Sequence, residues 1–96
     1  MLTNEDYSPI GIKQVSTEAI KQEMEVLTVI NLEAAEKGFQ AEQEEKMGLA
    51  FAYAADIGVH RIKYAILEEE LQFREFYDSF SRGEVDIAAL LGSLFK

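Results

Sequence analysis

Residues 44–73 read EEKMGLAFAYAADIGVHRIKYAILEEELQF, and the fold depends on where this stretch bends. Carboxylates crowd both ends, and an apolar stretch holding the segment ADIGVH lies between them. Gly58 in that segment suits the left-handed conformation that ends a helix. A turn is therefore expected at Gly58. Residues equally far from the turn then lie side by side, so that Met47 is level with Glu69 and Glu44 with Gln72. The acidic segments AEQEEK and LEEELQ come to one height.

Outward from this stretch the chain reads as helix. Pro9 is the only proline, so from Ile10 onward no ring geometry forbids helix. Ala, Glu, Leu, Lys and Gln dominate, and all are good helix formers. In VSTEAI, Ser16 is placed to cap, Glu18 sits in the first turn and Val15 can staple to Ile20. Ile20, Met24, Leu27, Ile30/Asn31, Ala34/Ala35 and Gly38 recur at helical spacing. Val26, Val29 and Leu32 make other faces of the same helix apolar, which suggests burial on more than one side, as in an oligomer. Two readings of residues 17–56 stay open: one long helix, the favoured reading, or a break near KGFQ that gives three helices in all. The following helix carries Ile62, Ala65/Ile66, Glu69, Phe73, Phe76/Tyr77 and Phe80 on one face and ends near Gly83. A last helix restarts at VDIAALLGSLF, with Asp86 as cap and Val85 as staple to Leu90. The expected organisation is an N-terminal irregular arm (1–15), a helical hairpin (16–83) and a C-terminal helix or docking tail (84–96). The fold class is all-α: a long antiparallel helical hairpin with a short C-terminal helix, forming a four-helix bundle by dimerisation.

Composition narrows the function. With 96 residues the chain allows one domain of modest core, and self-association is a common remedy for a small core. Apolar residues make up 48%, too many for a disordered chain. The net charge of -9 argues against nucleic acid, whose phosphates need clustered Lys and Arg. No cysteine is present, so there is no disulfide framework or thiolate site. No apolar run approaches the roughly 20 residues of a membrane span, and the N-terminus lacks the pattern of a signal peptide. A cytoplasmic protein with no membrane contact is expected. Glycine-rich phosphate loops, zinc patterns and catalytic serine motifs are absent. His60 is the sole histidine, and with Asp56 it forms an i,i+4 pair that reads as a helix-end hydrogen bond rather than a catalytic dyad.

The acidic height has two readings. In one, Glu42, Glu44, Glu45, Glu68 and Glu70 point into solvent, near Lys46, Lys63 and Arg74. Glu69, which shares its face with Ile62, Ile66, Phe73 and Phe76, then pairs with a basic residue of another subunit. In the other, Glu44, Glu45, Glu69 and Gln72 form a carboxylate metal site. The segment DIGVHRIKYAILEEELQFREF resembles the second helix of a rubrerythrin or half-ferritin hairpin, over about 40 residues of likeness in all. Such proteins hold iron between Glu residues and a Glu-x-x-His motif inside a four-helix bundle. Where that family has Glu-x-x-His, this chain has Glu69-x-x-Gln72. No cofactor is expected from the residues themselves, and iron is what the resemblance implies.

The chain ends in an apolar segment, IAALLGSLFK. Ile87, Leu90, Leu91, Gly92, Ser93, Leu94 and Phe95 are expected to bind a partner or to pack back on the hairpin. LLGSLFK resembles the cargo-loading peptide of encapsulin-associated proteins. Gly92, Ser93 and Leu94 match its Gly-Ser-Leu, Leu91 replaces an Ile or Val, and Ala89 stands where the first leucine falls. The resemblance implies docking into a larger protein assembly. The function expected is a non-enzymatic, self-associating helical assembly or interaction protein with a docking tail. The alternatives are a ferritin-like, iron-binding encapsulin cargo and, third, an acidic mimic of a basic partner.

Overall fold

The computed structural model describes residues 1–83 and 87–94, and among them every regular element is helical. After a 3-10 turn (Asn4–Tyr7) come α1 (Gly11–Gln14), α2 (Thr17–Gln43), α3 (Met47–Ser81) and α4 (Ile87–Leu94). α2 starts as its sequence dictates: the backbone N–H of Ala19 donates to Ser16 Oγ (3.1 Å). Val15 packs against the core that holds Ile20. The expected Asp86 cap, the Val85–Leu90 staple and Phe95 lie outside the described residues, as do the side chains of Ile87, Leu90 and Ser93.

α2 and α3 form an antiparallel hairpin whose register follows from three cross-helix pairs. Thr17 bonds Arg74 (3.1 Å), Asn31 bonds His60 (2.7 Å), and a Cβ added at Gly38 would lie 3.3 Å from that of Tyr53. The residue numbers in each pair (17 with 74, 31 with 60, 38 with 53) add to 91. In that register Ile20 meets Leu71, Met24 meets Leu67, and Leu27 meets Tyr64. On α2 the buried positions Ile20, Leu27, Ala34 and Ala41 recur every seventh residue. This is the spacing of a coiled-coil seam, where two helices bury one stripe each. Bulk sits at one end, with Ile20, Leu27 and Leu67 the largest fully buried side chains. Toward the bend the seam narrows to Ala34, Gly38 and Ala41, so that the helices approach closely.

The bend is not at Gly58. It lies at Glu44–Lys46, and α3 runs unbroken through Gly58. The long helix expected over 17–56 is therefore two helices, and the break falls beyond KGFQ. The N–H of Lys46 donates to the Ala41 carbonyl (2.8 Å) and that of Glu45 to the Glu42 carbonyl (3.1 Å), the Schellman pattern that closes a helix. Glu45 takes the left-handed position, with φ of 60°. A bend at Gly58 would split the stripe Tyr53–Ile57–His60–Tyr64–Leu67 that α3 lays along α2. Gly58 is instead exposed, and a Cβ there would meet nothing within 4 Å. A glycine inside a helix costs about 1 kcal/mol, less than the pairing it would forfeit.

The N-terminal arm is not irregular. Leu2, Tyr7 and Ile12 pack on the bulky end of the seam beside Ile20, Leu27 and Leu67. A Cβ on Gly11 would collide with the Glu5 carbonyl oxygen, so only glycine allows the 3-10 turn to feed α1 at this angle.

Candidate functional site

Two buried carboxylates fasten the arm to the hairpin. Glu23 on α2 accepts from the Leu2 N–H (2.9 Å) and the Tyr7 hydroxyl (3.0 Å). Burial and the neighbouring Glu23 push the Tyr7 phenol well above its usual range. Glu70 on α3 accepts from Lys13 Nζ (2.7 Å) and Arg74 Nε (3.0 Å). Burial alone would raise the Glu70 carboxyl. The hydrogen bonds and charges of Lys13 and Arg74 outweigh it and hold the group below the usual carboxylate range. Arg74 then reaches Thr17 Oγ1 (3.1 Å) and the Ile12 carbonyl (3.0 Å). One guanidinium thus joins arm, α2 and α3 with its fork of donors. Lys13 also lies 4.1 Å from the centre of the Phe73 ring.

Glu69 is not the buried member of LEEEL. It is exposed, while Glu70, expected to face solvent, is 6% exposed. The reason is that α3 carries two apolar stripes on opposite sides. Tyr53, Ile57, Tyr64, Leu67 and Leu71 face α2. The second stripe runs along the outer side, with 4-3-4 spacing in each half and the second half eighteen residues, or about five helical turns, beyond the first. Its first half holds Phe51, Ala55, Gly58 and Ile62; its second half holds Glu69, Phe73, Phe76 and Phe80. Among the described residues little covers it: Phe51 is 69% exposed, Ile62 65% and Phe73 53%. Phe73 and Tyr77 stack on one another, ring centres 6.5 Å apart. At about 200 Å² per aromatic side chain, its half-exposed rings alone offer roughly 500 Å². A patch of about this size is near the upper end of what a monomer ordinarily exposes.

Beside this stripe is a recess of about 410 Å³. Its α3 wall is Ile66, Glu69, Glu70 and Phe73, and its other wall is the arm, at Tyr7, Pro9, Ile12 and Lys13. The four α3 residues stand at i, i+3, i+4 and i+7, which is the hole that receives one side chain from a facing helix.

The four metal candidates are not brought together within the chain. Glu44 and Glu45 sit in the bend, where Glu44 pairs with Lys46 (3.1 Å). Glu69 lies about 33 Å further along α3 than Met47, at 1.5 Å per helical residue, and Gln72 is further still. The expected levels of Met47 with Glu69 and Glu44 with Gln72 are thus corrected by the position of the bend. Among the described residues no group of three or more His, Cys, Asp or Glu is placed to hold a metal ion. His60 does not pair with Asp56. Its Nδ1 lies 2.7 Å from Asn31 Oδ1 in the middle of the seam. The amide oxygen only accepts, so Nδ1 donates. On α4, Leu91 is 46% and Leu94 71% exposed. Among the described residues no helix is long and apolar enough to cross a membrane. Comparison with family models, with curated proteins and with solved structures finds no match.

Proposed function

We propose that this chain is a non-enzymatic assembly protein that associates with itself through the outer stripe of α3 and docks onto a further protein through α4. The observation that carries the reading is the outer apolar stripe, which runs most of the length of α3 and is left largely exposed. A helix wetted on that side has no use for Phe51, Ile62, Phe73, Phe76 and Phe80 in one line. The buried polar groups of the recess beside the stripe are engaged in structure: Glu70 holds Lys13 and Arg74. Their buried charges are spent on holding the arm.

Ile62→Lys tests the first part. The side chain lies outside the hairpin, so the variant should keep its helix content by circular dichroism and its unfolding should stay cooperative. Its mass by sedimentation should fall to that of one chain. An Ile62→Lys variant that associates like the parent contradicts the reading. For α4, supported by the exposed Leu91 and Leu94, removal of residues 86–96 should leave the hairpin's helix content and its number of chains per assembly unchanged. Loss of the hairpin's own stability would make the tail part of the fold instead.

A further inference from the structure

We infer that the occupant of the outer stripe is the same stripe of a second copy, laid antiparallel about a two-fold axis at Ala65–Ile66. The inference rests on the self-association proposed above and gives it a geometry.

Three observations agree on this arrangement. The first is size. About that centre the facing residue numbers (51 with 80, 55 with 76, 58 with 73) add to 131. Ala55 then faces the partner's Phe76, and Gly58 faces the partner's Phe73. The small half of each stripe meets the bulky half of the other, as close packing requires. A parallel pairing sets Phe73 on Phe73 and Gly58 on Gly58, crowding one end and leaving a void at the other. Phe51 meets the partner's Phe80 at the two rims, where rings have room.

The second is the recess. Its hole, formed by Ile66, Glu69, Glu70 and Phe73, is centred level with residues 69–70. In the antiparallel register that height belongs to the partner's Ile62, an exposed, branched side chain of the outer stripe. Ile62 of each protomer fills the recess of the other, and the arm forms the far wall of the hole. The third is charge. Arg61 and Glu69 take part in none of the ion pairs among the described residues. The axis brings Glu69 within one residue of the partner's Arg61, twice per dimer. A closed two-fold pair of this kind uses the outer stripe of both copies at once, and Val29, Leu32 and Phe39 stay exposed on the outer α2 helices. The two α3 helices lie in the middle and the two α2 helices outside.

The chain has no cysteine, so single cysteines report the geometry directly. Across the proposed axis, Ala65→Cys meets its own copy within about one residue, inside the 4.4–6.8 Å Cα separation that roughly bounds a disulfide. Gly58→Cys is displaced from its copy by about 22 Å along the helix, since 58 lies level with 73. Mild oxidation should link Ala65→Cys into a covalent dimer and leave Gly58→Cys unlinked. As a second measurement, Arg61→Glu and Glu69→Arg should each weaken association several-fold, and the double variant should restore it. Linked Gly58→Cys, or unlinked Ala65→Cys in a chain that sediments as a dimer, overturns the antiparallel arrangement while the self-association stands. An unsubstituted chain that sediments as a monomer overturns the self-association itself.

Discussion

Glu45 holds the one left-handed position that closes α2, with φ of 60°, and no glycine marks it. For a residue with a Cβ this conformation costs about 1–2 kcal/mol. Glu45→Gly should therefore stabilise the hairpin by about 1 kcal/mol, read as a rise in thermal midpoint with unchanged helix content. A fall would show that the Glu45 side chain makes a contribution larger than its strain. The same absence of a glycine explains why the bend was not legible: QEEKM continues a helical composition, whereas ADIGVH offers the usual signal at Gly58. Glu70 is the other decisive residue. Its carboxyl is held low in the folded chain by Lys13 and Arg74. The stability it contributes is therefore full above the ordinary carboxylate pKa of about 4.3 and is lost as pH falls through the lowered one. Glu70→Gln should cost about 2 kcal/mol at neutral pH, since it weakens charge-assisted bonds, with the share from half-exposed Lys13 reduced by solvent. It should also flatten the loss of stability below about pH 4. Denaturant unfolding of both chains at pH 7 and pH 3 checks this. An equal acid loss in both would remove Glu70 from the account.

Helix spacing was plain in α2 and ambiguous in α3. Ile20, Met24, Leu27, Ile30/Asn31, Ala34/Ala35 and Gly38 were legible as the packed face, and Ser16 as its cap, because one stripe of α2 carries the seam while Val26, Val29 and Leu32 stay exposed on its other faces. α3 has two, and the more aromatic of them looks like a core. The inner stripe is broken by His60, whose partner Asn31 lies on the other helix. Choosing between the stripes needs the register, and the register needs the bend. Glu69 and Glu70 exchanged roles for that reason alone. The arm's anchor was hidden differently: Lys13 and Glu70 are 57 residues apart, and no local pattern joins them. Gly58 tests the continuity of α3. A methyl there meets nothing within 4 Å in the single chain, so Gly58→Ala should stabilise the helix by about 0.5–1 kcal/mol. Thermal unfolding of the dilute variant measures it. Destabilisation would mean that residue 58 needs glycine's freedom, as a bend would.

At the scale of the molecule, the chain is a hairpin with a finished inner seam and an unfinished outer one. The N-terminal arm closes one flank, fixed by Glu23 and Glu70, and apart from Lys13 over Phe73 leaves the outer stripe of α3 largely exposed. A seam of that length is worth covering: an interface of standard size takes about 800 Å² from each partner. The exposed rings and Ile62 together offer much of that area. The hairpin was legible as all-α and apolar on more than one side, but which side stays open depends on the register of two helices. Sedimentation equilibrium of the unsubstituted chain at micromolar concentration tests the claim most directly. The account predicts a folded species of twice the 10.8 kDa chain mass that dissociates on dilution. A stable, fully helical monomer across that range, with Phe51, Ile62 and Phe73 left in water, would contradict it.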